Sequence, residues 1–142
     1  MNAPFTHTAP HVPGQPLRLY LVEDSPAVRA ALVESLGDIP NLEVAGYSET
    51  EAEALCVLSH QAYDIIIFDI ELRQGNGISL LRSLAMSSAS HDSLKIIFSN
   101  NVSGAYRRVG AQYGVHHFFD KTSELPRLHA VLEQATHGVA LG

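Results

Sequence analysis

The chain of 142 residues is the size of one ordinary domain and is long enough to bury a single core. Apolar residues make up 46% and charged residues 17%, which excludes a disordered chain, and a net charge of −6 turns the reading away from a nucleic-acid surface. The single cysteine, Cys56, excludes an internal disulfide and agrees with a reducing, cytoplasmic setting, and no apolar run approaches the roughly 20 residues of a membrane helix.

The first 16 residues hold four prolines and no Lys, Arg, Asp or Glu, which predicts an extended arm rather than a secretory signal. His7 and His11 lie in it without the companions of a metal site. From Leu17 onward, strand and helix patterns alternate. LRLYLVE (17–23) reads as the first strand, and Pro26 falls in the first turn of a helix that runs to about Leu36, with Gly37 as its stop. LEVAGYS (42–48) is a second strand. A second helix spans about 50–60, capped by Ser48 or Thr50, with Glu53 at capping-box spacing from Thr50.

DIIIFD (64–69) is apolar on both faces, as a central parallel strand requires, and ends in an acid. Gly75 and Gly77 then shape a loop that opens a third helix reaching about Ser87, with Ile78, Leu81 and Leu84 inward. LKIIFS (94–99) is the fourth strand and reads as apolar on both faces. A fourth helix covers about 102–113 and Gly114 ends it. VHHFF (115–119) is the fifth strand, and 123–136 a fifth helix with Pro126 in its first turn. Five such alternations predict an α/β fold with a five-stranded parallel sheet, whose ligands sit at the carboxyl ends of the strands.

The strand tips carry Glu23 and Asp24, then Asp69, then Ser99, then Lys121. Carboxylates gathered about 4 Å apart repel by roughly 4 kcal/mol per pair at an effective dielectric near 20. A hard divalent cation offsets that repulsion, and Mg²⁺ takes one or two carboxylates together with waters and phosphate oxygens. An aspartate, a metal, a lysine and a hydroxyl together describe phosphoryl transfer to a carboxylate.

LYLVEDSP, IIIFDIELRQGNG, IIFSN and FFDKT resemble the receiver domain of two-component response regulators, over about Leu17 to Thr136. The resemblance implies a flavodoxin-like doubly wound sheet of order 2-1-3-4-5 with five helices. It implies that Asp69 is the phosphoacceptor and that a histidine kinase or phosphotransfer protein supplies the phosphate with Mg²⁺. Glu23, Asp24, Asp69 and the backbone carbonyl of Glu71 would hold the metal. Lys121 would pair with the phosphate, while Ser99 and Phe118 would form the switch. The face of the fourth helix, fifth strand and fifth helix, with Arg107 and Arg108, would meet a downstream protein or form a homodimer, with no direct nucleic-acid contact and no membrane insertion.

Several positions depart from the family pattern. Glu71 puts a carboxylate two residues after the acceptor, Asn100 is larger than the usual residue after the hydroxyl, and Asn101 stands at a position that tunes dephosphorylation. Thr122 replaces a common proline, which predicts a trans Lys121–Thr122 bond and gives Thr122 or Ser123 a capping role. His116 and His117 point to opposite faces of a strand and do not chelate together. A haloacid-dehalogenase-type phosphatase shares the Asp, Ser and Lys set, but only Glu124 and Glu133 follow the lysine, at poor spacing. A flavin module would need hydroxyls where EDSP has two acids. A degenerate receiver that works only through protein contacts is the alternative function. The expected organisation is an arm over 1–16 and a receiver over 17–142, with no output domain.

Overall fold

A computed structural model describes residues 14–87 and 92–141, so His7 and His11 lie outside the described residues. In chain order the elements are β1 (Leu17–Val22), α1 (Pro26–Leu36), β2 (Leu42–Ser48), α2 (Glu51–Leu58), β3 (Ile65–Phe68), α3 (Gly77–Leu84), β4 (Leu94–Ser99), α4 (Gly104–Gln112), β5 (His117–Asp120) and α5 (Leu125–Leu141). The five strands form one parallel sheet in the order β2-β1-β3-β4-β5. This is the doubly wound flavodoxin-like architecture, and its order reverses between β1 and β3.

Strand alternation divides the core in two. Tyr20, Val22, Ile66, Phe68, Ile97 and Phe118 pack on one face beneath α2, α3 and α4. Leu19, Leu21, Ile65, Ile67, Ile96 and Phe119 pack on the other beneath α1 and α5. β3 is buried along its whole length, as expected for a strand flanked on both edges and covered on both faces.

Each of the first four helices begins with a side-chain cap just past a strand tip. Ser25 accepts the Val28 N–H, Thr50 the Glu53 N–H, Asn76 the N–H groups of Ile78 and Ser79, and Ser103 the Tyr106 N–H. The Thr50 cap forms as expected, but the Glu53 carboxylate reaches back to the Glu49 N–H, one residue beyond the usual box. Gly37 does not supply a left-handed stop: its φ is −67°, and the left-handed residue comes later, at Asn41 with φ 65°.

β5 starts two residues later than the sequence pattern suggests. The Val115 N–H goes to the Gly110 carbonyl and closes the end of α4, so Val115 packs in the core without joining the ladder. α5 runs past Thr136, whose hydroxyl is buried and donates back to the Leu132 carbonyl at 3.0 Å, so it exposes no competing polar group. Every peptide bond among the described residues is trans, Lys121–Thr122 included. The capping role expected of Thr122 or Ser123 falls elsewhere. The Thr122 N–H and hydroxyl both go to the Asp120 carboxylate, while the Glu124 carbonyl receives the Arg127 and Leu128 N–H groups.

Candidate functional site

The ladder of the central strands assembles the site. Val22 pairs with Phe68, and the next bond, from the Asp69 N–H to the Val22 carbonyl at 2.9 Å, carries the pairing past the strand ends. This sets Glu23 beside Asp69. Both are almost fully buried, with exposures of 3% and 4%. On the other side, Ser99 pairs with Asp120, and the Lys121 N–H reaches the Ser99 carbonyl at 3.2 Å. Lys121 is thereby delivered to the same edge.

The Lys121 ammonium lies 2.7 Å from Asp69 Oδ2 and 2.9 Å from Glu23 Oε1. Burial works against its charge, but the hydrogen bonds to Asp69 and Glu23 outweigh it and hold the ammonium above its ordinary pKa. Burial pushes the Glu23 carboxyl up, against the hydrogen bonds from Lys121 and the Ser25 N–H that favour its charged form. Asp69 Oδ1 accepts the Glu71 N–H at 3.3 Å, so both oxygens of the expected acceptor are oriented.

Glu23, Asp24 and Asp69 can each bring one oxygen within 4.8 Å of the others. At that separation each pair of charges repels by about 3 kcal/mol at an effective dielectric near 20, and Lys121 supplies one positive charge against three. A donor set of hard carboxylate oxygens with excess negative charge fits a magnesium ion.

Further residues that the sequence reading did not single out hold this edge together. The Arg73 N–H donates to Asp24, and its guanidinium bonds Glu49 at 3.1 Å. Arg29 bonds the same Glu49 at 2.9 Å and also donates to the Glu23 carbonyl at 2.8 Å. Arg29 is the one basic residue of α1, a faint signal; the backbone of Arg73 leaves none. A Cβ on Gly77 would stand 2.2 Å from the Asp69 carbonyl oxygen, so only glycine lets α3 begin this close to the acceptor. Gly75, at φ +101°, makes the turn that precedes it.

The residues expected around the rim are also placed. The Ser99 hydroxyl is buried and accepts the Asn101 N–H at 3.2 Å. The Asn101 amide donates to the exposed Glu71 carboxylate at 3.5 Å, and Asn100 is exposed beside it. Phe118 is turned inward at 9% exposure, over a space that Gly110 leaves open, with the Arg107 guanidinium 5.3 Å from its ring centre. His116 is exposed and His117 half-buried, the latter stacked 6.2 Å from the Phe119 ring.

Residues 19–133 match the family model of the response regulator receiver domain. The chain belongs to that family. The receiver is 38% identical over 68 residues to the DNA-binding transcriptional activator DevR/DosR of Mycobacterium tuberculosis, a match covering 48% of this chain and 31% of that protein. It is 37% identical over 78 residues to a protein-glutamate methylesterase/protein-glutamine glutaminase of Anaeromyxobacter dehalogenans, covering 53% of this chain and 22% of that one. The matched part is thus under a third of the length of these relatives.

Among solved structures the receiver superposes on the response regulator domain of Thermotoga maritima CheB with a TM-score of 0.72 at 20% identity, covering 90% of this chain and 98% of that one. A CheY-like receiver domain protein of Methanospirillum hungatei gives 0.70 at 21% identity, covering 88% and 94%. At such identities the likeness speaks for the fold. No helix among the described residues is long and apolar enough to cross a membrane.

Proposed function

We propose that this receiver is an active phosphoacceptor of a cytoplasmic two-component pathway. A histidine kinase or phosphotransfer protein supplies the phosphoryl group and Asp69 receives it. The observation that carries this reading is the Lys121 ammonium bridging two buried carboxylates, 2.7 Å from Asp69 and 2.9 Å from Glu23. A buried carboxylate that merely capped a helix would not need a shared cation and two acidic neighbours.

In the transfer step an Asp69 oxygen attacks phosphorus and the bond to the donor imidazole nitrogen breaks. That nitrogen keeps the electron pair and takes a proton. Lys121 then stabilises the added phosphoryl oxygens, and the Ser99 hydroxyl donates to one of them. Glu23, Asp24, Asp69 and the Glu71 carbonyl would hold magnesium, whose charge offsets that of the phosphoryl group.

Phosphorylation adds nearly two negative charges. The buried Phe118 ring corresponds to the inward pose of the switch, so phosphate would hold in place a packing that the dephosphorylated chain already reaches. Output then passes through the α4–β5–α5 face to a protein partner or a second copy, without DNA contact by this domain.

The test is intact-mass measurement after incubation with a small-molecule phosphodonor, with magnesium or with EDTA. One phosphoryl group is expected only with magnesium, and none on Asp69→Asn. Label persisting on that variant refutes the acceptor assignment. Absence of label on the unaltered chain under every condition favours the degenerate, interaction-only receiver.

A further inference from the structure

The tip of β2 brings a further acid to the edge that carries the phosphoryl site. The Glu23 N–H donates to the Ser48 carbonyl at 3.0 Å, so Glu49, the next residue, stands beside the acidic pair that follows β1. Yet the oxygens that gather within 4.8 Å of one another belong to Glu23, Asp24 and Asp69. Glu49 is turned to two arginines instead. Its Oε2 lies 2.9 Å from the Arg29 guanidinium and its Oε1 3.1 Å from that of Arg73.

The two arginines differ in freedom. The Arg29 side chain is 13% exposed, donates to the Glu23 carbonyl at 2.8 Å and covers the Tyr47 ring at 4.1 Å. Those contacts keep it in place independently of Glu49. The Arg73 side chain is 61% exposed, and its guanidinium is held by Glu49. Its backbone is docked on the acidic cluster, where the Arg73 N–H donates to Asp24 Oδ2. A guanidinium on a flexible stem anchored this close has the Asp24 carboxylate within reach, and its planar fork suits a carboxylate. Seated there, it would cover the oxygens that a magnesium ion needs. Lys121 already sits on Glu23 and Asp69, so a second cation on Asp24 would leave none of the three acids open.

We propose that Glu49 is a positioning residue of this site: it holds the Arg73 guanidinium away from Asp24 and so keeps that carboxylate open to magnesium. The inference rests on the reading of Glu23, Asp24 and Asp69 as a magnesium site. It differs from a clasp in which the Arg73–Glu49 pair only pins the loop between β3 and α3. A clasp fails whichever partner is removed, whereas a guard is needed only while there is a cation to guard against.

The experiment is a ¹H–¹⁵N NMR titration of the whole, unphosphorylated chain with magnesium chloride at constant ionic strength, followed at the amides of Asp24, Asp69 and Glu71. Glu49→Gln keeps the side-chain shape and leaves the backbone bond from the position 49 N–H to Glu53 untouched. Its amide offers one acceptor to two guanidiniums, and the less exposed Arg29 keeps it. The magnesium Kd should rise about three- to fivefold, the scale of one partly exposed ion pair. Arg73→Gln should leave the Kd within about twofold, since its guanidinium is already held aside, and the double variant should return to that level. The proposal is overturned if Glu49→Gln binds magnesium within twofold of the unaltered chain, if Arg73→Gln weakens binding as much as Glu49→Gln, or if the double variant stays as weak as Glu49→Gln. An unaltered chain that binds no magnesium refutes the metal-site reading and this inference with it, whereas magnesium binding indifferent to Glu49 refutes this inference alone.

Discussion

Replacing Lys121 with methionine removes the one cation among the described residues that touches both Glu23 and Asp69, while keeping most of the side-chain volume. The side chains of Lys121, Glu23 and Asp69 are 13%, 3% and 5% exposed, so solvent screens the contacts little. At separations of 2.9 and 2.7 Å, each is worth about 6 kcal/mol in gross Coulomb terms at an effective dielectric near 20. Most of that offsets the desolvation of three buried charges, and removing one partner of such a set leaves a net loss of about 3–5 kcal/mol. Urea unfolding of Lys121→Met against the unaltered chain, in EDTA at neutral pH, should show a loss of that size.

Two further dependences identify the cause. Millimolar magnesium should recover at least half of the loss, because a dication among Glu23, Asp24 and Asp69 replaces the missing charge. Acid should shrink the loss as well. Burial has raised the Glu23 carboxyl above its ordinary 4.5, so its protonation favours the folded state, fully below 4.5 and decreasingly as pH rises through the folded value. A loss under about 1 kcal/mol, or one equal in EDTA and magnesium, would refute this account of the charge balance.

Three other changes have defined outcomes. His129 places Nε2 2.8 Å from Asp38 and Nδ1 3.5 Å from Glu133, and the Asp38 hydrogen bond raises its pKa above the ordinary 6.5. Its contribution is therefore complete below pH 6.5 and fades as pH rises through the folded value. His129→Gln should flatten the pH dependence of the melting temperature in that window, and an unchanged slope would contradict the ion pair. Gly77→Ala should destabilise the fold by about 1–3 kcal/mol, the usual range for overpacking, since its Cβ would meet the Asp69 carbonyl at 2.2 Å; it should also slow labelling of Asp69, followed by intact mass. Ser99→Ala should still accept phosphate but give smaller changes in the NMR spectrum of α4 and Phe118 on phosphorylation, and equal changes in both proteins would exclude the switch role.

The sheet was legible in the sequence because each strand is an apolar run with a sharp boundary. β2 and β4 coincide with their expected bounds, since polar turn residues stop the alternation on both sides. The shift of β5 was not legible: whether Val115 joins a ladder or closes α4 depends on which carbonyl meets its N–H, and that is a tertiary fact. The same holds for Gly37, where helical and left-handed geometry are both open to glycine and only the position of Asn41 decides. Within the site, side chains at strand tips announce themselves as charges where hydrophobic runs end. The Arg73 N–H on Asp24 leaves no trace in residue identity. Lys95 was passed over in a strand read as apolar on both faces, and its burial comes from the helices packed over that strand.

The order of the strands explains how a lysine after the last strand reaches an acid on the central one. Glu23 and Asp69 end neighbouring strands, about 4.8 Å apart across the crevice where the sheet order reverses. Lys121 follows β5, which is two strands from β3 and three from β1. To touch Asp69 and Glu23 together its four-carbon stem must cross the tip of β4. Ser99 occupies that tip, is 1% exposed, and turns its hydroxyl to the Asn101 N–H. Serine puts a small side chain and an oxygen at that tip. Asn100, the larger neighbour, is exposed, so its bulk falls outside this passage. The cation on the last strand thus serves an acid on the central one across the tip of the strand between them, where the Ser99 hydroxyl is buried.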